Sequence, residues 1–496
     1  MNILFATSEA VPFAKTGGLA DVGGALPKEL ARLGNEVSVI MPCYRRVWHS
    51  GQQIDDTGIE FSVPIGRKTV CGRILRSHLP DSQVPVYLID QPGYFDRAEL
   101  YGENGENYKD NCERFVFFCR AVLEAISLLN LDLNMLHVND WQTGLVPAYL
   151  KTEYAGIPCY EKIASLFTIH NLSYQGQFWH WDMLLTGLDW KYFNWRQMEF
   201  YGNLNLMKTG LVFSDSLSTV SPRYAEEIQS SPLGCGLEGV LRQRRDSLTG
   251  IINGVDYNIW NPATDSDIPA NYDVDSIKPD KPQCKAALQR EMGLAERADV
   301  PLIGLIGRLV DQKGIDLVSG VMKEWLQSES AQWVILGTGE EKYHRFFADI
   351  AHRHPQQVAT RLEFCNALAH RIEAGSDIFL MPSQFEPCGL NQLYSLRYGT
   401  VPVVRSTGGL ADTIVNTTEK TLTHRSANGF SFADYSTLRL SETLRHACQT
   451  FHQRDIWRQI VSTGMRQDWS WARSATLYAS LYEKTIERTQ DAVMSS

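Results

Sequence analysis

Short apolar runs, many of them β-branched, recur along the chain and alternate with stretches of helical periodicity. ILFATS (residues 3–8), EVSVIMP from Glu36, VPVYLID from Val84, MLHVND from Met135, SLFTIH from Ser165 and SLSTVS from Ser216 fill the first half. PLIGLIG from Pro301, WVILGTG from Trp333, DIFLMPS from Asp377 and VPVVRS from Val401 follow in the second. A strand that is apolar on both sides must be covered on both sides, so this alternation predicts parallel sheets with helices on each face. In such sheets ligands bind beyond the carboxyl ends of the strands. Nearly every conspicuous polar motif here falls just after one of these runs.

The texture changes between residues 261 and 284, NPATDSDIPANYDVDSIKPDKPQC, with four Pro and five Asp. That composition predicts an exposed connector between two α/β domains. The domains expected are residues 1–250, a connector at 251–284, a second domain at 285–468, and a last helix at 469–496. In that helix Trp471, Ala475, Tyr478 and Tyr482 recur at spacings of 4, 3 and 4, an apolar stripe that must dock, with the first domain as the expected surface. The connector holds two D-x-D triplets, Asp265/Asp267 and Asp273/Asp275. They sit in a Pro-rich polar stretch, away from a strand end, which argues against their holding a metal.

Composition adds exclusions. At 44% hydrophobic and 21% charged, 496 residues are an ordinary globular mixture with material for two cores. A net charge of −10 argues against nucleic acid or an anionic membrane as partner, since both demand clustered cations. The ten cysteines form no CxxC pair and no Cys/His cluster at metal spacing, so reduced, mostly buried thiols and a cytoplasmic protein are expected. No leader pattern or membrane-length apolar run is evident.

The hexapeptide TGGLAD occurs twice, at residues 16–21 and 407–412, each time after a strand-like run. A Gly-Gly pair opening a helix lets backbone N–H groups face an anion without a Cβ in the way. Two copies suggest two similar lobes whose loops face one ligand. GRLVDQKG (307–314) sends Arg308 and Lys313 out of a strand end together, a guanidinium and an ammonium suited to a diphosphate. FEPCGLNQLYSLRYGT (385–400) places Glu386 in a Pro- and Gly-flanked turn before a helix, where its charge is stabilised and its oxygens could accept sugar hydroxyls. HVNDW (137–141) and TIHN (168–171) put two histidines, with Asp140 beside the first, at successive strand ends.

Together KTGGLADV, HVNDWQTGL, TIHNLSYQG, INGVD, GRLVDQKG and FEPCGLNQLYSLRYGT with STGGLADT resemble the bacterial glycogen synthase and starch synthase family, in order and over essentially the whole chain. The resemblance implies an α/β GT-B fold, two Rossmann-like doubly wound domains with a deep interdomain cleft. It also implies transfer of glucose from ADP-glucose to the 4-hydroxyl at the non-reducing end of an α-1,4-glucan such as glycogen or starch, with retention of configuration and no metal or other cofactor.

The implied roles follow the motifs. Lys15, Gly17 and Gly18 would contact the donor's diphosphate and sugar, and Asp21 would hold that loop or touch the nucleotide. His170 would lie under the transferring glucose, with Asp140 supplying nearby charge and Asn253 touching glucose or phosphate. Arg308 and Lys313 would stabilise the leaving diphosphate. Glu386 would bind glucose hydroxyls, and Thr407, Gly408 and Gly409 the distal phosphate. Phe364 falls where the family stacks an aromatic on adenine.

Two departures stand out. Tyr394 occupies the place of a second Glu in many related retaining transferases, as expected for this branch. Phe95, in PGYFDRAELYG (92–102), stands where some bacterial members have Tyr, leaving Tyr94 as the one substitute hydroxyl. The alternatives are a GT-B transferase using UDP-glucose or another acceptor, and a non-catalytic glucan-binding homologue.

Overall fold

The computed structural model describes residues 1–103 and 105–494 and divides into two units, Met1–Gly254 with Trp471–Ser496, and Val255–Ser470. In the first unit the apolar runs become the strands β1 (Asn2–Ala6), β2 (Glu36–Pro42), β5 (Pro85–Asp90), β6 (Met135–Asn139), β7 (Ala164–Ile169) and β8 (Ser216–Thr219). The strands β3 (Asp55–Ile65), β4 (Lys68–His78) and β9 (Leu248–Gly250) complete a nine-stranded sheet in the order β9-β8-β7-β6-β1-β2-β5-β4-β3. Its parallel part reads outward from β1 as a doubly wound sheet, and the chain reverses direction of growth between β1 and β6.

β3 and β4 form an antiparallel hairpin at the sheet edge. Its alternating burial, exposed then buried along β3, explains why it carries no continuous apolar run. Phe5, Leu88, Val138 and Phe167 are wholly buried between helical layers. Each such side chain contributes roughly 1.5–3 kcal/mol.

The terminal helix Trp471–Met494 packs on the helix Gly18–Arg32 and on β7 of this first unit. Trp471, Ala475, Tyr478 and Tyr482 are all buried, as the 4-3-4 spacing demands.

The second unit holds β10 (Leu302–Ile306), β11 (Gln332–Leu336), β12 (Val358–Arg361), β13 (Ile378–Met381), β14 (Val401–Arg405) and β15 (Phe430–Phe432). They pair in parallel in the order β12-β11-β10-β13-β14-β15. In sequence terms this is 3-2-1-4-5-6, the dinucleotide-binding order, with its switch point between β10 and β13.

The stretch read as an exposed connector is instead part of this unit. Tyr272 is buried and its hydroxyl donates to the Tyr398 carbonyl at 2.8 Å. Asp265 is buried too, accepting hydrogen bonds from His370 Nδ1 (2.8 Å) and the Tyr398 hydroxyl (2.5 Å). Pro262, Asp267, Pro269 and Asp275 lie in turns and bends, and residues between them, Asp265 and Tyr272, pack inward. From residue 277 the chain is already helical, Ile277–Glu291.

No helix among the described residues is long and apolar enough to cross a membrane. The ten cysteines are free, but only Cys43, Cys112, Cys119, Cys284 and Cys388 are buried, and Cys71 and Cys159 are exposed.

Candidate active site

In the first unit the polar motifs leave the strands on either side of the switch point. After β6 the chain turns sharply at Asp140, whose φ of 56° is a left-handed conformation rare outside glycine. Strain of this kind persists only where surrounding contacts hold it. Here Asp140 Oδ1 accepts the backbone N–H of His170, just beyond β7, at 2.8 Å. Burial pushes the Asp140 carboxyl up to about 7, with the Glu9 charge adding to the rise and the N–H groups of His170 and Asn171 opposing it. His170 Nε2 lies 2.9 Å from Asn139 Oδ1. Burial lowers that imidazole to about 3, so it is neutral at working pH.

His137, the other histidine of the strand ends, is structural. Its Nδ1 meets the Tyr482 hydroxyl at 2.7 Å and its Nε2 meets Thr168 Oγ1 at 2.6 Å, all buried. It ties the sheet to the terminal helix.

The first glycine loop follows β1. Lys15 Nζ is 2.7 Å from Asp21 Oδ1, and burial raises the Asp21 carboxyl against the pull of Lys15. Gly17 has an extended φ of −155°, and a Cβ built there meets nothing within 4 Å. The fold itself therefore makes no demand for glycine at this position, and open space lies over its backbone. Asn253, after β9, is buried with its Oδ1 unpartnered.

Glu9 and Tyr101, not among the residues singled out in the sequence, also belong to this loop's hydrogen-bond network. Glu9 Oε1 accepts Thr16 Oγ1 (2.6 Å) and the Tyr101 hydroxyl (2.7 Å), while Oε2 accepts the N–H groups of Thr16 (2.5 Å) and Gly17 (3.3 Å). The hydroxyl expected from Tyr94 points elsewhere, to Glu113. Tyr101, at the end of the same PGYFDRAELYG segment, is the tyrosine that reaches the glycine-loop layer. A carboxylate between a strand end and a Gly-Gly turn was the available signal for Glu9.

In the second unit the two strands flanking the switch point supply the charges. Arg308 leaves β10 exposed, 3.4 Å from Gln312 Oε1, and Lys313 follows one short turn later. Glu386 comes from the loop after β13, buried, its Oε2 2.5 Å from Lys313 Nζ and 3.0 Å from Ser383 Oγ.

Thr407, Gly408 and Gly409 follow β14 and open the short helix Gly408–Thr413. Gly408 has φ +45°, and a Cβ there would lie 2.0 Å from the Glu386 carbonyl. At Gly409 it would lie 2.0 Å from the Cys388 carbonyl. Unlike Gly17, these glycines are demanded by the close approach of the Glu386 turn. Phe364, between β12 and the helix Asn366–Gly375, is 83% exposed.

Trp260 is sandwiched between His370 and Tyr394, both ring centroids at 3.9 Å and the ring planes nearly parallel. Tyr394 thus fills its position by stacking. Asp265, Asp267 and His370 offer ligand atoms within 4.8 Å of one another. Asp265 serves there as a hydrogen-bonded support: burial works to raise its carboxyl, but His370 and Tyr398 hold it below the usual range.

Comparison with known proteins agrees with this architecture. Residues 2–243 match the family model for the starch synthase catalytic domain, and residues 292–455 that for glycosyl transferases group 1. The chain is 48% identical to a glycogen synthase of Rhodopirellula baltica, covering 98% of each chain. It is 46% identical to one of Syntrophotalea carbinolica, covering 98% of this chain and 99% of the other. Among solved structures it is similar to the catalytic domain of starch synthase IV from Arabidopsis thaliana, bound to ADP and acarbose (TM-score 0.90, 31% identity, 98% and 99% coverage). Two Rossmann-like domains of this kind make a GT-B glycosyltransferase. With both family models matched and such identity over its length, the chain belongs to the glycogen/starch synthase family.

Proposed function

We propose that this chain transfers glucose from ADP-glucose to the non-reducing-end 4-hydroxyl of an α-1,4-glucan, with retention of configuration and without a metal. The observation that carries the reading is the meeting of Lys313 and Glu386 at the switch point of the second unit, with Arg308 leaving the same strand end. Breaking a glucosyl–phosphate bond develops negative charge on the departing diphosphate and positive charge on the sugar. Fixed cations answer the first and carboxylate or carbonyl oxygens the second.

In this reading Arg308 and Lys313 neutralise the diphosphate, and the 407–409 turn holds its distal phosphate. Glu386 accepts glucose hydroxyls, and exposed Phe364 stacks on the adenine. On the first unit, Lys15 with Gly17 and Gly18 meets the donor, and Asp21 holds Lys15. His170, neutral and fixed by Asp140, offers its main-chain oxygen beside the sugar, and Asn253 supplies a further amide contact. The relative from Arabidopsis thaliana was solved with ADP and acarbose, which supports an adenine nucleotide here. With retention, the departing phosphate is suited to take the acceptor's proton on the face it leaves.

Incubation with ADP-[14C]glucose or UDP-[14C]glucose, with and without glycogen, tests this. Label should enter glycogen from the ADP donor. Incorporation from UDP-glucose alone would move the assignment to another donor, and glucan binding without incorporation would make the chain a non-catalytic homologue.

A further inference from the structure

A Gly-Gly turn at a helix start ordinarily gathers an anion on its N–H groups. In the first unit that place is already taken by the protein. Glu9, buried in the loop after β1, puts Oε2 on the N–H groups of Thr16 (2.5 Å) and Gly17 (3.3 Å) and Oε1 on Thr16 Oγ1 (2.6 Å). The Tyr101 hydroxyl, 2.7 Å from Oε1 and 2.8 Å from Ser8 Oγ, holds the carboxylate from the other side. The remaining charges of the loop are also matched from within. Lys15 pairs with Asp21, and Arg46 donates to the Lys15 carbonyl at 3.3 Å while it pairs with Glu99.

We propose that Glu9 is a positioning residue for the candidate active site, an internal anion that presets the Lys15–Gly18 loop before any donor arrives. The inference rests on the functional reading above and deepens it. The N–H groups of Thr16 and Gly17 are not a phosphate cradle, and contact from this loop comes through the Lys15 ammonium, the open space over the Gly17 Cα and the chain beyond it. The two TGGLAD copies then do different work. In the second copy the amides close on main-chain oxygens, Thr407 on the Arg405 carbonyl (3.0 Å) and Gly409 on the Glu386 and Pro387 carbonyls (3.2 Å each).

The test is Glu9→Gln, which keeps the size but replaces one acceptor oxygen by a donor facing an N–H group. Turnover with ADP-glucose and glycogen should fall on the order of tenfold to a hundredfold, the scale of a small misplacement in a reacting geometry. The Kd for ADP alone should stay within about threefold on this reading, since the second unit holds the nucleotide. Hydrogen exchange read by mass spectrometry on the peptide over residues 14–19 should accelerate, while β1 and β2 keep their protection.

Turnover within twofold of wild type would overturn the proposal. So would lost turnover with unchanged exchange at 14–19, which would make Glu9 a group acting on substrate. Exchange accelerated throughout the unit would show a merely structural role. Should Glu9→Gln fail to fold, Thr16→Ala, which removes one of the four contacts, decides the matter: faster exchange at 14–19 with turnover down several-fold supports the proposal, and unchanged turnover defeats it. A wild-type protein inactive on ADP-glucose would sink the functional reading and leave the exchange result standing.

Discussion

Glu386 and Lys313, 73 residues apart in sequence, meet at 2.5 Å between Oε2 and Nζ at the carboxyl ends of neighbouring strands. The pair sets a buried carboxylate against a half-buried ammonium, so each side chain positions the other. Lys313→Ala should lower kcat by two or more orders of magnitude, the loss associated with a transition-state charge partner. It should also cost about 1–3 kcal/mol in stability by leaving Glu386 under-satisfied. Glu386→Gln should reduce kcat severely while calorimetric ADP affinity stays near wild type. Loss of ADP binding in step with activity would place Glu386 at the nucleotide.

Asp140 makes the stability of the protein depend on pH. Its carboxyl titrates at about 7 in the fold against 3.8 in the unfolded chain. The neutral form is therefore favoured by folding, and its contribution is fully present below about pH 4 and lost as pH rises through 7. The whole span is at most about 4 kcal/mol. Asp140→Asn, which cannot ionise, should gain stability relative to wild type between pH 5 and pH 8. Denaturant titrations at the two pH values check this, and an equal difference at both would refute it.

Phe364 offers a function without a structural cost. An 83% exposed ring contributes little to the core, so Phe364→Ala should leave the melting temperature within a degree or two. If the ring stacks on adenine, ADP affinity should weaken by about 1–3 kcal/mol, the usual worth of base–aromatic stacking. Unchanged ADP binding would remove Phe364 from the site.

The glycines of the repeated hexapeptide should respond in opposite ways. Gly17→Ser introduces a preferred helix N-cap where the protein leaves open space, so stability should hold within about 1 kcal/mol. Turnover should nevertheless fall, because the new side chain occupies the room a ligand needs. Gly408→Ala forces a Cβ toward the Glu386 carbonyl at a positive φ and should lower both melting temperature and turnover. A stable, fully active Gly17→Ser would show that nothing approaches that backbone.

Tyr482→Phe removes the partner of His137 Nδ1 in a fully buried setting. An unsatisfied buried polar group costs about 1–3 kcal/mol, and that loss should appear in the unfolding of the first unit with the candidate site chemically intact. A change within 0.5 kcal/mol would mean that the ring finds another partner.

The parallel strands were legible because burial on both faces leaves an unbroken apolar run. The hairpin β3–β4 was not, because its alternation disappears into ordinary polar sequence. Arg308, Lys313 and Glu386 could be read as candidates from their places after strand runs, yet only the 3-2-1-4-5-6 order shows why the strands bearing them adjoin. The repeated TGGLAD pointed to two lobes through an unsafe route. It follows the first strand of one sheet and the fifth of the other, so the copies are not equivalent positions. Glu9 carried only the local signal of a carboxylate before a Gly-Gly turn, and its link to Tyr101 lies in a hydrogen bond across 92 residues. The buried Asp265 looked like linker because a short polar stretch does not announce which of its turns pack inward.

The first unit is discontinuous in sequence, and this sets an order of events during synthesis. Its sheet is complete by residue 250, but Tyr482, which satisfies His137, and Trp471, whose Cα lies 2.4 Å from where a Cβ on Gly254 would stand, emerge only after the whole second unit has been translated. At about 5–20 residues per second, the ribosome holds a nearly finished first sheet for tens of seconds with the docking face for its last helix bare. The second unit can fold as it emerges. The first can close only after the second has been made, so the helix Trp471–Met494 acts as a latch that the first unit receives late.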